Sequence, residues 1–359
     1  MNLLSNTIDS IIPSDKEVMK KALKYIDNLT KPLGSLGKLE EIAARFAGIT
    51  GEVFNKVKKK NIIIMSSDNG ICEEGVSSSD QVVTQVMTNG IPDMKTGVGV
   101  LASFVNAELT VVDIGVKGKV LNPKVINRKI SHGTANICKG PAMTREEAIK
   151  AIETGIEITD KRCREGYDLF GTGEMGIGNT STSAAVIASL LQIDIDQLVG
   201  RGAGLTDEQF DNKKRVLRKA LEVNKPNRED PIDVLSKVGG YDIAGLCGCF
   251  LSAAKNKKPI VIDGVISAAA ALCAFLLKPE SKDYMFTSHK SDERAVNYVF
   301  EHLGLEPILH LNMRLGEGSG CPLAFHVVEA ALHTVNNMAT FEDIGIDTES
   351  DYRLDDIRK

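Results

Sequence analysis

Short apolar runs rich in β-branched residues alternate with helical patterns through the middle of the chain. Each run leads into a segment of glycine, serine or acidic residues, and the clearest runs cover residues 61–65, 109–112, 167–170, 259–262, 284–286 and 308–311. Helical patterns follow several runs, as at 181–191 and 267–277. Continuous apolar strands that alternate with helices predict a parallel sheet with helices on both faces. Because ligands of such sheets bind outside the carboxyl ends of the strands, we expect a site among the polar segments that follow the runs.

The two ends of the chain have helical patterns instead. Ser14-x-x-Glu17 matches a capping box at the start of one pattern, and residues 36–46 form a second one after a break rich in proline and glycine. Residues 323–338 also have a helical pattern, and the polar, acidic segment 342–359 is expected to be a loosely held tail. The sequence therefore predicts helical ends around an alternating centre.

The composition is that of an ordinary globular protein. The 359 residues include 43 Lys+Arg and 48 Asp+Glu, for a formal net charge of −5, and 43% are hydrophobic. This excludes a disordered or fibrous chain, and the acidic balance argues against nucleic acid as a partner. The longest nearly apolar run, 265–277, is too short to span a bilayer, so we expect a buried helix there and no membrane partner. Residues 1–10 lack the basic segment that opens a secretory signal.

The cysteines and histidines carry no clear metal-site signal. Seven cysteines are scattered without a C-x-x-C pair, which favours free, buried thiols in a reducing cytoplasm. His326-x-x-Glu329-x-x-x-His333 places three groups near one helix face, but its spacing is not that of an H-E-x-x-H zinc site. A packed helix with satisfied imidazoles is the favoured interpretation. We expect a cytoplasmic protein with no metal and no cofactor.

Gly171-Thr-Gly-Glu-Met-Gly176 matches the G-x-G-x-x-G pattern of dinucleotide-binding proteins. It lies between a predicted strand and a predicted helix, and Asp194 and Asp196 follow it about twenty residues later. The motif lies in mid-chain, however, and Glu174 would place a carboxylate where a pyrophosphate has to bind. A NAD-dependent oxidoreductase is therefore an alternative function and not the favoured one.

The same segment also predicts a more general anion site. Gly176-Ile-Gly-Asn-Thr-Ser181 opens a predicted helix, whose free N–H groups and dipole favour a negative charge. Gly200-Arg-Gly-Ala-Gly204 offers a second loop in which glycines permit close approach of a ligand, and Lys213 and Lys214 follow at the predicted start of another helix. These parts predict a phosphate site, against a plainer interpretation as a tight turn and a solvated basic face.

Arg314-Leu-Gly-Glu-Gly-Ser-Gly320 is the sharpest feature of the sequence. Glu317 is surrounded by three glycines in a loop that follows a predicted strand. Because glycine has minimal bulk and permits unusual backbone angles, a ligand can come close to Glu317. A purely structural loop has little need of a carboxylate at this position, so a functional Glu317 is favoured.

These segments together resemble one family over nearly the whole chain: the nicotinate-nucleotide:dimethylbenzimidazole phosphoribosyltransferases of cobalamin nucleotide-loop assembly. Each segment is weak alone, and their order and completeness make the resemblance specific. The matching segments are Lys31-Pro-Leu-Gly-Ser-Leu-Gly37 with Leu39-Glu40, Gly75-Val76, Gly173-Glu-Met-Gly-Ile-Gly-Asn-Thr180, Asp211-Asn-Lys213, Asp233-Val-Leu-Ser-Lys-Val-Gly-Gly240, Asp263-Gly264, Ser288-His289 and Arg314-Leu-Gly-Glu-Gly-Ser-Gly320.

The resemblance implies transfer of the 5-phosphoribosyl group of nicotinate mononucleotide to 5,6-dimethylbenzimidazole or a related base. The products would be α-ribazole 5′-phosphate and nicotinate. It implies Glu317 as the general base, and Glu174 as the residue that stabilises positive charge at the ribose or orients the substrate. It assigns the phosphate to Lys213, Gly176, Gly202, Gly204 and Ser291. The further substrate-binding residues that it implies are Gly178, Asn179, Ser79, Asp80, Met175, Leu315 and Asp263.

The resemblance also implies a fold and an assembly. The expected fold is a Rossmann-like α/β domain over residues 51–322, with a parallel sheet and helices on both faces, and a small helical domain from both termini, 1–50 and 323–359. A homodimer is expected. A non-catalytic benzimidazole-binding protein is a second alternative, against which the intact Glu174, Lys213 and Glu317 argue.

The chain departs from the family pattern at two positions. Asn69 stands where the pattern has the histidine of an Asp-His-Gly segment, and Asp80 stands where the pattern has a proline. By resemblance, Asp80 borders the pocket for the aromatic base. A carboxylate there is expected to alter which acceptor base is preferred.

Overall fold

A sheet of six parallel strands forms the centre of the computed structural model, which describes residues 2–201 and 204–346. The strand order is β3-β2-β1-β4-β5-β6. This is the order of a Rossmann sheet, in which the winding direction reverses between β1 and β4, and it confirms the predicted α/β class. The strands are β1 (Lys60–Ser67), β2 (Ala107–Gly115), β3 (Ile126–Asn127), β4 (Leu169–Met175), β5 (Ile260–Ile262) and β6 (Met285–Thr287).

Helices cover both faces of this sheet. Successive side chains of a strand point to opposite faces, and every residue of β1 after Lys60 and every residue of β4 is buried. The α-helices of the described residues are α1 (Leu3–Ser10), α2 (Lys16–Asp27), α3 (Lys38–Thr50), α4 (Val82–Gly90), α5 (Gly97–Phe104), α6 (Arg145–Arg164), α7 (Asn179–Leu191), α8 (Ile195–Leu198), α9 (Asp207–Asn224), α10 (Pro231–Val238), α11 (Tyr241–Lys255), α12 (Val265–Leu277), α13 (Ala295–Leu303) and α14 (Gly320–Asn337).

Two predicted strands need correction. β4 starts two residues later than the run at 167–170 and continues to Met175, so the glycine-rich segment expected to be a loop belongs to the strand. Glycine has a low strand preference, and pairing with β1, and with β5 at Gly171, keeps this segment extended. The run at 308–311 is no strand, because Leu309 forms only an isolated bridge with His289. The two-residue strand β3 is too short to be predicted from an apolar pattern.

Most of the predicted helices are present, but the residues at which two of them begin differ from the prediction. The apolar run forms the buried helix α12, as expected. The capping residue of α2 is Asp15 and not Ser14: the Asp15 carboxylate accepts hydrogen bonds from the N–H groups of Glu17 and Val18 at 2.9 and 3.0 Å. Lys213 lies in the middle of α9 and not at its start, because Thr206 caps this helix. Helix α1 was not predicted.

The two ends of the chain lie side by side. Thr30 N donates to Ala339 O, and Phe341 N donates to Asn28 O, both at 2.9 Å, while α3 packs on α14. Helix α1 packs instead on α6 and α11. The small helical domain and its boundaries remain a prediction. The predicted tail is described only to residue 346, where residues 342–344 form a 3₁₀ turn; residues 347–359 lie outside the described residues.

Helix α11 reaches the carboxyl ends of the central strands through a close backbone contact with α6. A Cβ atom on Gly155 would come within 1.8 Å of the Gly245 carbonyl oxygen, and one on Gly248 within 1.9 Å of the Ile152 carbonyl oxygen. Both glycines are therefore required for this helix pair. The contact holds α11 so that Asp242, near its N-terminus, lies beneath the polar ends of the sheet.

The cysteines are free thiols, as their scattered positions in the sequence predicted. All seven cysteines are free, five of them buried, and burial raises the pKa of the Cys72, Cys163 and Cys249 thiols to about 12. These thiols are therefore unreactive at neutral pH. Within residues 2–201 and 204–346, none of the helices combines the length and apolarity needed to cross a membrane.

Candidate active site

A cleft of about 330 Å³ lies at the carboxyl ends of the central strands. It opens at the point where the strand order reverses, which is where doubly wound sheets bind their ligands. Ten of the residues predicted from the sequence line it: Ser79, Glu174, Met175, Gly176, Gly178, Asn179, Asp263, Ser291, Leu315 and Glu317. The fold therefore brings these ten residues, which come from five separate segments of the sequence, to one cleft.

Glu317 lies in the cleft with a strained backbone. Its φ angle is +63°, and Gly316 and Gly318 on either side also have positive φ, at +84° and +92°. Such angles favour glycine, and a glutamate in this region indicates that the surrounding structure enforces the conformation. Two of the glycines recognised in the sequence thus create the turn that presents Glu317.

The N-terminus of α5 holds the Glu317 carboxylate. Its Oε2 atom accepts a hydrogen bond from Val98 N at 3.1 Å, in the first turn of the helix. The N–H group and the helix dipole both favour a negative charge at this position. The other oxygen, Oε1, has no hydrogen-bond partner among the described residues, and the side chain is 8% exposed. One carboxylate oxygen is thus anchored and the other is available to a ligand.

Asp263, at the end of β5, anchors the Glu317 loop. Its two carboxyl oxygens accept hydrogen bonds from Gly318 N at 3.1 Å and from Gly320 N at 2.7 Å. Burial raises the pKa of this carboxyl to about 7, against the effect of these two N–H groups. Asp263 lines the cleft, but its hydrogen bonds go to the loop. We therefore assign Asp263 the role of holding Glu317 in place.

The glycines of β4 allow this loop to approach the sheet. A Cβ atom on Gly173 would lie 2.3 Å from the carbonyl oxygen of Glu317, and one on Gly171 would lie 2.7 Å from Cβ of Cys321. No side chain fits at either position. The first two glycines of the G-x-G-x-x-G match therefore serve the packing of α14 and of the Glu317 loop before it, and do not form a turn around a pyrophosphate.

Glu174 is the acidic residue of β4, next to the end of the strand, and it faces the same loop. Its Oε1 atom accepts a hydrogen bond from Glu317 N at 3.2 Å, and its Oε2 atom accepts one from Asn179 Nδ2. Burial is the main cause that raises the pKa of Glu174 to about 8, and the nearby carboxyls of Asp242 and Asp263 raise it further. At neutral pH this carboxyl is therefore mostly protonated.

The start of α7, where the sequence predicts an anion site, leaves backbone N–H groups free of a side-chain cap. Gly178 precedes the helix with a φ angle of +91°, and no side chain caps its N–H groups. Lys213 is nearby but almost fully buried, and its Nζ donates to Thr180 Oγ1 at 3.0 Å and to Gly200 O at 3.3 Å. Burial lowers the pKa of Lys213 to about 8. Thr180 lines the cleft, so Lys213 stands directly behind this wall.

Three of the predicted site residues that the structure describes do not line the cleft. Lys213 is behind Thr180, and Gly204 lies outside the lining, with a φ angle of +116°. Asp80 is exposed, and its Oδ1 accepts a hydrogen bond from Val82 N at 2.9 Å beside the start of α4. Its influence on the acceptor base remains a prediction. Gly202 lies outside the described residues.

Several residues of the cleft were not predicted from the sequence. Val83 and Met87 line it from α4, four residues apart, and His289 lines it beside Ser288, whose Oγ lies 2.9 Å from His289 Nδ1. The spacing on α4 and the Ser288-His289 pair were available signals. Val98 and Asp242 had none, because their roles depend on residues distant in the sequence.

No group of three or more His, Cys, Asp or Glu side chains within 2–201 and 204–346 is arranged to hold a metal ion. The three residues singled out near 330 lie on α14, where Glu329 forms an ion pair with Lys60 and both histidines are exposed. The exposed histidines differ from the packed imidazoles that were expected.

The doubly wound sheet, the uncapped start of α7 and the carboxylate on its glycine loop fit an enzyme that acts on a small anionic substrate. A family model described as phosphoribosyltransferase matches residues 11–346. A nicotinate-nucleotide–dimethylbenzimidazole phosphoribosyltransferase of Clostridium tetani is 58% identical over 99% of this chain and 98% of its own length. One of Ruminiclostridium cellulolyticum is 55% identical over 95% of this chain and 97% of its own. The chain belongs to the nicotinate-nucleotide–dimethylbenzimidazole phosphoribosyltransferase family.

A solved structure agrees with this assignment. The crystal structure of the enzyme of that name from Thermus thermophilus superposes with a TM-score of 0.88 and 35% sequence identity. The match covers 93% of this chain and 99% of that one. The fold and the family are therefore the same over nearly the full length.

Proposed function

We propose that this protein transfers the 5-phosphoribosyl group of nicotinate mononucleotide to 5,6-dimethylbenzimidazole or a related base, in cobalamin biosynthesis. The products are α-ribazole 5′-phosphate and nicotinate. The observation that carries the proposal is the Glu317 carboxylate, which has one oxygen anchored on Val98 N and the other without a described partner in the cleft. The full-length similarity to enzymes of this name supports the same reaction.

The chemistry requires one base and no acid. The leaving pyridine of nicotinate mononucleotide is already cationic in the substrate, so its departure needs no proton. The acceptor attacks C1′ of the ribose with one ring nitrogen and must lose the proton of the other. A positioned carboxylate is sufficient for this step, and we assign it to Glu317. The cleft aligns the acceptor with the face of the ribose opposite to nicotinate, which is a proximity effect.

Glu174 is assigned to orientation. Both of its oxygens accept hydrogen bonds, and its raised pKa leaves it mostly neutral at pH 7. A neutral carboxyl is a poor stabiliser of positive charge at the ribose. Of the two roles that the family resemblance allows, the geometry favours holding the reacting groups in place.

The phosphate is assigned to the start of α7, with Lys213 behind Thr180. Helix N–H groups bind anions, and a nearby ammonium group adds charge. Ser291 lines the same cleft.

We also propose a homodimer in the cytoplasm, on the family resemblance. The NAD alternative has lost its main support, because Gly171 and Gly173 lie inside β4.

A direct assay tests the function. The purified protein is incubated with nicotinate mononucleotide and a panel of benzimidazoles, purines and phenols, with and without EDTA, and the nucleotide products are identified by mass spectrometry. We expect α-ribazole 5′-phosphate from dimethylbenzimidazole in both conditions. Tight binding of NAD(H) with no turnover of the mononucleotide would favour the oxidoreductase, and binding of benzimidazole without turnover would favour a non-catalytic protein.

Replacement of Lys213 by methionine should weaken the binding of nicotinate mononucleotide. Removal of the buried positive charge behind Thr180 weakens the attraction for the phosphate, and we expect roughly a tenfold increase in Kd. Binding of dimethylbenzimidazole should change little. The wild-type affinity for the mononucleotide should also fall as the pH rises through about 8, where Lys213 loses its charge. Calorimetry with each ligand at several pH values measures both effects.

Lys214→Met is the matched control for this variant. Lys214 is the next residue on α9, and its ammonium group lies over the Phe210 ring, 4.2 Å from the centroid. We expect wild-type affinities from it. If Lys213→Met weakened both ligands equally, the phosphate assignment would be wrong.

A further inference from the structure

Buried polar contacts connect the start of α11 to the backbone of Glu317. Asp242 Oδ2 accepts a hydrogen bond from Asn179 Nδ2 at 3.0 Å, and the same amide nitrogen donates to Glu174 Oε2. Glu174 Oε1 in turn accepts from Glu317 N at 3.2 Å. Asp242 does not line the cleft, yet three successive contacts join it to the proposed general base.

We propose that Asp242 is a positioning residue of the transfer reaction: it orients the Asn179 amide, which holds the Glu174 carboxyl against the backbone of Glu317. The proposal rests on the function proposed above. It gives the buried carboxylate of α11 a role in catalysis although Asp242 does not line the cleft.

The amide of Asn179 is held in one orientation. Its Nδ2 atom faces two carboxyl groups, and each of its two hydrogens has a carboxyl oxygen as acceptor. A rotated amide would place its oxygen against both carboxyls instead. Without the Asp242 carboxylate, one of these two hydrogen bonds is lost. The Asn179 amide is then less strongly held in the orientation that supports Glu174.

Asp242 itself is firmly placed. It is fully buried in the first turn of α11, and its Oδ1 accepts a hydrogen bond from Ile243 N at 3.0 Å. The helix dipole favours an anion at this position. Gly240 leaves the space for it, since a Cβ atom there would lie 2.3 Å from Asp242 Oδ1 and 2.7 Å from Asn69 Oδ1. The carboxylate is therefore a rigid support.

Two carboxyl groups act on Glu174, Asp242 from α11 and Asp263 from the end of β5. Burial is the main cause that raises the pKa of Glu174 to about 8, and these two carboxyls raise it further. The hydrogen bonds from the Asn179 amide and from Glu317 N oppose this shift. Burial also raises the pKa of Asp242, but only to about 6, because N–H groups oppose it. More donors thus favour the charged form of Asp242 than favour that of Glu174.

The test is a double-mutant cycle of Asp242→Asn and Glu174→Gln. Asp242→Asn alone should lower kcat about tenfold or more, with the KM for nicotinate mononucleotide changed less than about twofold. In the Glu174→Gln background, the same substitution should have almost no further effect, because it acts through Glu174. Equal fold-changes in both backgrounds would show that Asp242 acts independently and would overturn the proposal.

The pH profile separates positioning from general structural damage. Loss of the Asp242 charge should shift the transition of Glu174 in the kcat profile from about pH 8 toward lower pH. Asp160→Asn is the matched control. Asp160 lies on α6 and accepts a hydrogen bond at 2.6 Å from Ser252, which lies on α11 away from the cleft. It should change stability without moving the profile. An unmoved profile in Asp242→Asn, or an equal shift in the control, would contradict the proposal.

Two further measurements cover the remaining outcomes. If Asp242→Asn does not fold, Asp242→Ser keeps an acceptor oxygen near Ile243 N, removes the charge, and should give the same results.

If the wild-type protein transfers nothing, the proposed function is wrong, and the contact between Asp242 and Glu174 through Asn179 is tested by protein stability alone. Glu174 binds its proton more tightly in the folded state, so stability should fall as pH rises from 4.5 to about 8. Asp242→Asn should end this fall at a lower pH, and an unchanged curve would refute the contact.

Discussion

Glu317→Gln should lower kcat by roughly 10²–10⁴-fold, the contribution expected of a positioned general base. Glutamine keeps the size of the side chain, and its amide oxygen can still accept the hydrogen bond from Val98 N. It cannot accept a proton at neutral pH, so only the alignment of the two substrates remains. The binding of both substrates and the melting temperature should change little. Single-turnover rates and thermal unfolding, measured on one preparation, check the two expectations together.

Glu306→Gln is the control for this substitution. Glu306 is exposed and forms a surface ion pair with Lys38 at 2.7 Å, so its replacement by the same amide should leave turnover unchanged. A Glu317→Gln protein with near-normal turnover would exclude the general-base role. A variant that lost activity and melting temperature in parallel would indicate that Glu317 mainly holds its loop.

Asp263→Asn should reduce both stability and turnover. The asparagine oxygen can accept from only one of Gly318 N and Gly320 N, and its NH₂ group would face the other N–H. A buried N–H group without an acceptor costs about 1–3 kcal/mol of folding free energy. The loop carrying Glu317 would also move, and a small misplacement of a base has a large effect on rate, up to about 10²-fold. Denaturant unfolding and kcat measure the two losses.

Asp113→Asn distinguishes the two effects. Asp113 is a buried aspartate of β2, and its Oδ1 accepts a hydrogen bond from Val116 N at 2.9 Å outside the cleft. Its replacement should lower stability by a similar amount while kcat stays close to wild type. If Asp263→Asn behaved in the same way, the Glu317 loop would not depend on Asp263 for its catalytic position.

The pattern of the sequence determined the class of the fold. Alternation of apolar runs with helical patterns predicted the parallel sheet and its covering helices, since a strand buried on both faces has to be apolar along its length. Local chemistry also identified Glu317, because a carboxylate among glycines is conspicuous in any context. The helix α12 was predicted correctly for the same reason: its residues are apolar on every side.

Other features could not be decided locally. Glycines 171 and 173 look like a phosphate-binding turn in the sequence, and only the neighbouring strand β1 and the Glu317 loop show that they belong to a packed strand. The run at 308–311 has the residues of a strand but lacks a partner beyond one bridge. Strand formation requires hydrogen bonds to another segment, and the sequence of one segment does not contain them.

The working arrangement of the site belongs to the tertiary structure. Val98 N meets the Glu317 carboxylate across 219 residues of sequence, and Asp242 meets Asn179 across 63. Neither Val98 nor Asp242 has a local signal, because a backbone N–H group or a buried aspartate acquires its role from what the fold brings beside it. The sequence determined which groups are available for the chemistry. The packing of α5, α7 and α11 around the strand ends decided which of them carry charge, which hold the loop, and which oxygen faces the cleft.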